Sequence, residues 1–250
     1  MIPQFPMKLV AKRMLAPAVA HLSFQRADGQ ALDYIPGQFI QIHLIGRDGE
    51  PTKRSYSLAT IHDHAMGPGE AVDIAASFVP GGTATALFEG LKEGDEVMAS
   101  GPFGRFCLLP NDANRRYLLI ATGTGVTPYR SMLPLLEKAI LERGVHVLVL
   151  FGARSEAELI YADDFRAMAA KHRSHFRFVP CYSREFNEAA GPDARRGYVT
   201  EQIAALEPQA DGDIAYLCGN PNMVDAAFEA FKAAGLPVPQ IRREKYVSGK

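Results

Sequence analysis

The pattern of hydrophobic and polar residues divides the chain into two halves. Up to about residue 110, short apolar runs are separated by turn-forming residues, and FIQIHLI (39–45) alternates apolar and polar positions. Such alternation is typical of a β-strand with one buried face. The DG, PGQ, GRDGEP and PGG sequences between the runs are typical of turns. Short strands at this spacing predict an antiparallel barrel or sandwich.

The second half alternates strand-like and helix-like segments. Apolar residues recur three and four positions apart over 128–144 and 222–235, which predicts helices. Alternating strands and helices predict a parallel sheet with helices on both faces. The predicted buried strands are YLLIAT (117–122), HVLVLFGA (146–153), FRFVPC (176–181) and IAYLCG (214–219).

Polar, turn-rich PNDANRR (110–116) separates the halves, so we predict an antiparallel β-domain over 1–110 and an α/β domain over 111–250. Gly144 is expected to end the first helix of the second domain. Pro134 lies within that helix and predicts either a kink or a late start.

Composition restricts the possible partners. The 250 residues carry a net charge of −1, so the chain as a whole is not suited to nucleic acid or membrane surfaces. No apolar run is long enough for a signal peptide or a membrane span. We therefore expect a cytoplasmic protein. The three cysteines are far apart and odd in number, which argues against a disulfide framework or an iron–sulfur cluster.

ATGTGVTP (121–128) follows one predicted strand and precedes a helix. Gly123 and Gly125 would allow a sharp turn and close approach to a ligand, and Pro128 suits a first helical turn. The free N–H groups of such a helix start attract anions. The pattern is GxGxxP rather than GxGxxG, and alone it is equally typical of a structural turn.

CGNPNM (218–223) repeats this arrangement after another strand. Pro221 would begin a helix that Asn222 could cap. Cys218 by itself is typical of a small core residue. Because the carboxyl ends of parallel strands lie at one sheet edge, we expect this loop and GTGVTP to border one crevice.

Further cations follow the strands of the second half. In YSRE (182–185), a hydroxyl stands beside a guanidinium, a combination that suits phosphate. Several cations at one sheet edge would suit the extra phosphate that NADPH has beyond NADH, although each alone is typical of a solvated surface. The cations are Arg154, Arg184, Arg195 and Arg196, and Ser183 and Tyr198 lie beside them in the sequence.

RSYSL (54–58), in the first half, has the period of a strand. Arg54 and Tyr56 should share one face and Ser57 the other, offering a charge for pyrophosphate and a ring for a flat heterocycle. FVPGGTAT (78–85) predicts a turn into a helix whose start would attract an anion. Each stretch alone also fits an ordinary hairpin or capped helix.

Seven motifs together resemble the ferredoxin–NADP⁺ reductase family, in the family's order and across nearly the whole chain. The resemblance implies an antiparallel Greek-key FAD-binding β-barrel followed by an NADP-binding α/β domain, closest to the bacterial ferredoxin/flavodoxin reductases. The motifs are PGQF (36–39), RSYSL (54–58), GGTAT (81–85), GPFG (101–104), GTGVTP (123–128), SRE (183–185) and CGNPNM (218–223).

The resemblance also implies residue roles. Arg54 would pair with the FAD pyrophosphate, Tyr56 would stack on the isoalloxazine, and Ser57 would hydrogen-bond near flavin N5. Ser183 and Arg184 would bind the 2′-phosphate of NADP(H). The implied FAD-binding residues are Arg54, Ser55, Tyr56, Ser57, Gly81, Gly82, Thr83 and Thr85. The other implied cofactor-binding residues are Gly123, Thr124, Gly125, Pro128, Arg154, Ser183, Arg184, Arg196, Tyr198, Cys218, Gly219, Pro221, Met223 and Tyr246.

The implied catalytic residues are Ser57, Cys218, Glu244 and Tyr246. Cys218 would border the nicotinamide, Tyr246 would stack on the flavin, and Glu244 could handle a proton. The chain departs from the family at two places. Gly197-Tyr198-Val199 resembles NADH-using oxygenase reductases, and the last residues, 248–250, continue beyond Tyr246 and would extend toward the adenine.

The implied activity is hydride exchange with NADP(H) and single-electron exchange, through FAD, with a separate ferredoxin or flavodoxin. No metal is needed for hydride transfer, and a monomer suits this role. An acidic carrier would meet local basic residues, for which the candidates are Lys53, Arg105, Arg242, Arg243 and Lys245. Two alternatives remain: a free-flavin reductase or oxygenase reductase component, and a nucleotide-binding regulatory or scaffolding protein without redox activity.

Overall fold

A computed structural model of the chain describes residues 3–186 and 191–247. The chain forms two compact units. The first unit contains residues up to Leu108 together with Thr127–Met132, and the second contains Leu109–Val126 and Leu133–Val247. None of the helices among the described residues is long and apolar enough to cross a membrane.

The first unit is built on a six-stranded antiparallel sheet in the order β4-β3-β6-β1-β2-β5. Leu58, just after β4, bridges to Ile74 in β5, so the two edge strands meet and the sheet closes into a barrel. Its elements are β1 (Gln4–Ala16), β2 (Val19–Arg26), β3 (Phe39–Ile45), β4 (Pro51–Ser57), β5 (Val72–Ser77), α1 (Thr83–Gly90) and β6 (Glu96–Phe103).

Alternating side chains of these strands form the core of the first unit. FIQIHLI forms β3 over the predicted residues, with Ile40 and Ile42 fully buried. Phe88 of α1 is also fully buried in this core, and Tyr56 of β4 packs against it. The core therefore fixes the inner face of α1 against the strand that carries RSYSL.

The second unit contains a six-stranded parallel sheet in the order β10-β9-β8-β7-β11-β12. All residues of β11 are buried, as expected for a strand covered on both faces. Its elements are β7 (Arg116–Thr122), the part of α2 (Thr127–Arg143) from Leu133 onward, β8 (His146–Ala153), α3 (Ala162–Lys171), β9 (Phe176–Tyr182), β10 (Arg195–Arg196), β11 (Asp213–Gly219), α4 (Pro221–Ala233) and β12 (Ile241–Lys245).

The predicted helices are confirmed, and the start of α2 differs from the prediction in two respects. Gly144 ends α2 in the left-handed conformation, as predicted. Pro134 lies inside α2, which nevertheless begins at Thr127, so the late start was wrong. A short 3₁₀ turn, Gly123–Val126, separates β7 from α2, so the GTG sequence does not open the α-helix directly.

Candidate functional site

β4 presents the RSYSL residues on the faces that the sequence predicted. Arg54 and Tyr56 are half-buried on one face, Ser55 is exposed on the other, and Ser57 is buried at the end of the strand. The ring of Tyr56 packs edge-on against Phe88 of α1, with centroids 5.3 Å apart. Burial raises the pKa of the Tyr56 hydroxyl, which therefore stays protonated at neutral pH.

The guanidinium of Arg54 is held close to its own strand. Its Nη1 donates to the Thr52 hydroxyl at 3.1 Å and to the Lys53 carbonyl at 2.9 Å. These bonds engage one nitrogen of a group that has three. An anion approaching this face of β4 would meet a positioned cation.

The start of α1 borders a pocket of about 300 Å³ in the first unit. Gly82 caps the helix without a side-chain hydrogen bond, so the first amides of α1 are not capped by a side chain. Gly81 takes a positive φ of 70°, which the turn into α1 requires. The hydroxyl of Thr85 accepts the Val79 amide at 2.8 Å and thereby fixes this turn.

Arg47 completes this pocket, and the sequence reasoning missed it. It lies in the turn between β3 and β4, and a Cβ atom on Gly81 would be only 2.7 Å from its Nη2. In the described part of the chain, Arg47 has no ion pair or hydrogen bond from its side chain. The only signal in the sequence was the GRDGEP turn, which reads as a hairpin.

The first unit thus holds two features that suit a dinucleotide with a flat ring. The start of α1 and Arg47 provide N–H donors and a cation for a pyrophosphate. Tyr56 and the buried hydroxyl of Ser57 provide a ring and a polar group on the adjacent strand. These residues fit FAD, because its pyrophosphate and isoalloxazine need these two kinds of partner.

In the second unit, the loops after β7 and β11 are in contact at the carboxyl ends of their strands. The Asn220 amide donates to the Thr122 hydroxyl at 3.2 Å. A Cβ on Gly125 would lie 2.3 Å from the Cys218 carbonyl oxygen. Glycine is therefore required at Gly125 by the packing of the two loops.

The start of α4 differs from the prediction in one residue. Asn220, not Asn222, caps the helix, because its Oδ1 accepts the amides of Asn222 and Met223 at 2.9 and 3.4 Å. Pro221 occupies the first turn as predicted. The cap lies two residues earlier than predicted, because Pro221 is the first residue of the helix and the residue before it takes the cap position.

The first amides of α2, like those of α1, are not capped by a side chain. Val126 caps α2 without a side-chain hydrogen bond, and Pro128 lies in its first turn as predicted. Thr124 is half-buried and Gly123 is exposed, so both remain open to solvent. The Thr127 hydroxyl is buried and lacks a hydrogen-bond partner in the part of the chain described.

Three of the predicted catalytic residues lie together in the second unit. β12 pairs with β11 so that Glu244 is opposite Cys218, and the Tyr246 amide donates to the Gly219 carbonyl at 2.8 Å. The Tyr246 side chain hydrogen-bonds to Cys218, which is fully buried. Burial raises the pKa of the Cys218 thiol well above its usual value. The predicted extension of residues 248–250 toward the adenine falls outside the described residues.

The loops after β8 and β9 bring the predicted phosphate-binding residues together. The amides of Arg184 and Glu185 donate to the Arg154 carbonyl at 3.1 and 2.9 Å. Ser183 donates its hydroxyl to Ala153 at 3.3 Å, and Arg184 is exposed. Sequence reasoning missed Glu158, which forms an ion pair with Arg154 at 2.6 Å.

The remaining predicted residues near these loops have local partners. Arg196 lies over the ring of Phe186, with Cζ 5.0 Å from the centroid. The amide of Tyr198 donates to Glu201, and its side chain is 64% exposed. Arg195 donates to the carbonyls of its own turn.

The basic residues proposed for a carrier protein are partly engaged within their own units. Arg243 stacks on Phe228 at 4.1 Å, and Lys245 pairs with Asp225 at 2.7 Å. Lys53 and Arg105 are exposed in the first unit.

Comparisons with known proteins agree with the two-unit architecture. The family described as "Oxidoreductase FAD-binding domain" matches residues 6–107, and the "Oxidoreductase NAD-binding domain" matches residues 119–229. The chain is 36% identical to ferredoxin–NADP reductase B of Sorangium cellulosum, over 97% of each protein. It is 32% identical to the reductase component of propane 2-monooxygenase from Rhodococcus jostii, over 86% of this chain but only 56% of that relative.

Solved structures show the same fold. An Amycolatopsis cytochrome P450 reductase superposes with a TM-score of 0.80 at 30% identity, over 98% of this chain and 71% of that one. A ferredoxin NADP⁺ reductase from Neisseria gonorrhoeae, solved with FAD and NADP, gives a TM-score of 0.79 at 21% identity over 97% and 98%. The chain therefore belongs to the ferredoxin–NADP⁺ reductase family, as an oxidoreductase with an FAD-binding domain followed by an NAD(P)-binding domain.

Proposed function

We propose that this oxidoreductase is a ferredoxin/flavodoxin–NADP⁺ reductase. The observation that carries the proposal is the 36% identity to a ferredoxin–NADP reductase over 97% of both chains. FAD, when bound, supplies the conversion between two-electron hydride chemistry and single-electron transfer. The domain boundaries remain those proposed from the sequence, 1–110 and 111–250.

In the first unit, the chain would hold the FAD through three groups. Arg54 and the start of α1 at Gly82 and Thr83 would bind the pyrophosphate, with Arg47 as an additional cation. Tyr56, fixed by its contact with Phe88, would lie on the isoalloxazine. Ser57 would donate a hydrogen bond near N5 and so orient the ring.

In the second unit, the chain would hold NADP(H) at the edge where the strands end. The loop amides around Gly123 and Thr124, and the start of α4 beside Gly219, would contact the pyrophosphate and nicotinamide. Cys218, whose thiol hydrogen-bonds to the Tyr246 side chain, would border the nicotinamide. Because the thiol stays protonated, Cys218 would act by shape and hydrogen bonding, not as a nucleophile.

The 2′-phosphate would bind to Ser183 and Arg184, with Arg154 beside them. Replacing Arg184 with Ala should weaken NADPH use far more than NADH use, by about 1.5–3 kcal/mol, because a charge-assisted hydrogen bond to phosphate is lost. Steady-state kcat/KM values for both nucleotides measure this difference. Equal losses for both would show that Arg184 does not recognise the phosphate.

The decisive experiment compares electron acceptors side by side. Turnover with NADPH is measured against ferredoxin, flavodoxin and free flavin, and then repeated with NADH. Fast reduction of a carrier protein would support the proposal, with Lys53 and Arg105 among the cations that could steer an acidic partner. Negligible carrier reduction beside fast free-flavin reduction would contradict it.

An oxygenase reductase component is the second candidate. Two observations favour it: the Gly197-Tyr198-Val199 sequence and the 32% identity to a propane 2-monooxygenase reductase component. Such an enzyme would prefer NADH. The same assay separates the two candidates by nucleotide and by acceptor.

A further inference from the structure

The loop after β8 carries a carboxylate that already engages one of the cations proposed for the 2′-phosphate. Glu158 meets Arg154 side-on, with one carboxylate oxygen 2.6 Å from Nη2 and the other 2.8 Å from Nε. The same carboxylate lies 3.4 Å from the Arg154 amide. This is the bidentate geometry in which a guanidinium also binds a phosphate.

Arg184 lies next to this ion pair, and its charge also acts on Glu158. Its amide donates to the Arg154 carbonyl, so the two residues are neighbours across the loops after β8 and β9. Arg154 holds the pKa of Glu158 below its usual value through hydrogen bonding, and the charge of Arg184 adds to this effect. Glu158 is therefore ionised at neutral pH.

We propose that Glu158 is a specificity-determining residue that competes with the 2′-phosphate of NADPH for Arg154 and Arg184. The inference rests on the proposed function, in which these arginines bind that phosphate. To bind there, the phosphate must displace Glu158 from Arg154 and tolerate a nearby carboxylate of like charge. NADH has a 2′-hydroxyl instead, which can donate a hydrogen bond to a carboxylate. Glu158 thus lowers the preference for NADPH over NADH.

Exposure limits the size of this effect. The side chains of Arg154 and Glu158 are 56% and 29% exposed. Ion pairs in such positions are weak and exchange readily, so Glu158 reduces the binding of the phosphate without preventing it.

The test measures binding directly, by titration calorimetry of the FAD-loaded protein with 2′,5′-ADP and with 5′-AMP. Glu158→Gln keeps the size of the side chain and removes its charge. We expect 2′,5′-ADP to bind about fivefold more tightly to this variant, which is the upper range for an exposed ion pair, and 5′-AMP to bind equally or more weakly. Asp211→Asn is the matched control, because it removes the carboxylate of another exposed arginine pair, at Arg115.

The outcomes separate this inference from the proposed function. Unchanged or weaker binding of 2′,5′-ADP to Glu158→Gln would overturn the role of Glu158, and so would an equal gain for both ligands or the same gain in Asp211→Asn. If the parent protein binds 2′,5′-ADP and Arg184→Ala weakens that binding, the proposed phosphate site stands regardless of Glu158. If the parent protein does not bind 2′,5′-ADP, both proposals fail.

Discussion

At the scale of single residues, Arg47 presents an unbalanced charge at the start of α1. Its guanidinium reaches Gly81 from the β3–β4 turn, and no described side chain pairs with it. Arg47→Ala should therefore raise the Kd for FAD about tenfold, since one charge-assisted contact to the pyrophosphate would be lost. Fluorescence titration of the apoprotein with FAD measures this change.

Arg13 supplies the matched control for this substitution. It is an exposed arginine on β1 of the same unit and does not line the pocket. Arg13→Ala should leave the FAD affinity unchanged, and Arg47→Lys should retain part of it, because a lysine keeps the charge but not the planar fork. An unaltered Kd in Arg47→Ala would remove Arg47 from the proposed site.

The three cysteines should differ sharply in reactivity toward a thiol reagent. The thiolate is the reactive form, and burial raises the pKa of Cys181 to about 12 and that of Cys218 well above its usual value. At pH 8 both thiols remain protonated as well as inaccessible, whereas Cys107 is partly exposed. Mass spectrometry after brief alkylation at pH 8 should find label on Cys107 alone.

Tyr246 provides a second arm of this experiment. Its side chain hydrogen-bonds to Cys218, so Tyr246→Ala should open access to the sulfur and increase its labelling. Tyr246→Phe keeps the ring and should leave Cys218 largely protected. Rapid labelling of Cys218 in the parent protein would contradict the complete burial of this thiol.

At the scale of elements, α1 is a short helix that Lys12 supports from its far end. The Lys12 ammonium donates to the carbonyls of Phe88, Glu89 and Leu91 at 2.6, 3.0 and 3.1 Å. A helix of eight residues is not stable alone, and a cation at its carboxyl end offsets the helix dipole. Lys12→Met should lower the free energy of unfolding by about 1–2 kcal/mol and weaken FAD binding at the opposite end of α1.

Lys8→Met is the control, since Lys8 is an exposed lysine on the same strand. Denaturant unfolding gives the stability change, and hydrogen exchange of the α1 amides shows where it arises. Equal stability and equal α1 protection in Lys12→Met and in the parent protein would mean that the three hydrogen bonds do not support the helix.

The elements were largely predictable, because periodicity is a local property of the sequence. FIQIHLI and HVLVLFGA form strands over the predicted residues, and the period of two placed Arg54 and Tyr56 on one face. Arg47 and Glu158 could not be predicted, because their roles depend on contacts between turns and loops that the fold brings together. The cap at Asn220 was missed although Pro221 was expected to begin the helix, because the cap is the residue before the first helical residue and Asn222 already lies inside the first turn.

At the scale of the whole molecule, the chain consists of two compact units, and each should respond to its own ligand. A ligand stabilises the folded segments that it contacts, and the stabilisation rises with the logarithm of its concentration over Kd, reaching about 2.7 kcal/mol at a hundredfold excess. In hydrogen exchange, we expect FAD to protect the amides of α1 and of the β3–β4 turn in the first unit. We expect 2′,5′-ADP to protect the loops after β8 and β9 in the second.

Each ligand serves as the control for the other in this experiment. Adding 2′,5′-ADP to the FAD-loaded protein should protect residues 154–158 and 183–185 while leaving the amides of α1 unchanged. Arg184→Ala should abolish the protection by 2′,5′-ADP without reducing the protection by FAD, because Arg184 lies in the second unit. Protection of α1 by 2′,5′-ADP would indicate that this ligand binds at the start of α1. The assignment of the pyrophosphate to α1 and of the 2′-phosphate to Arg184 would then have to be abandoned.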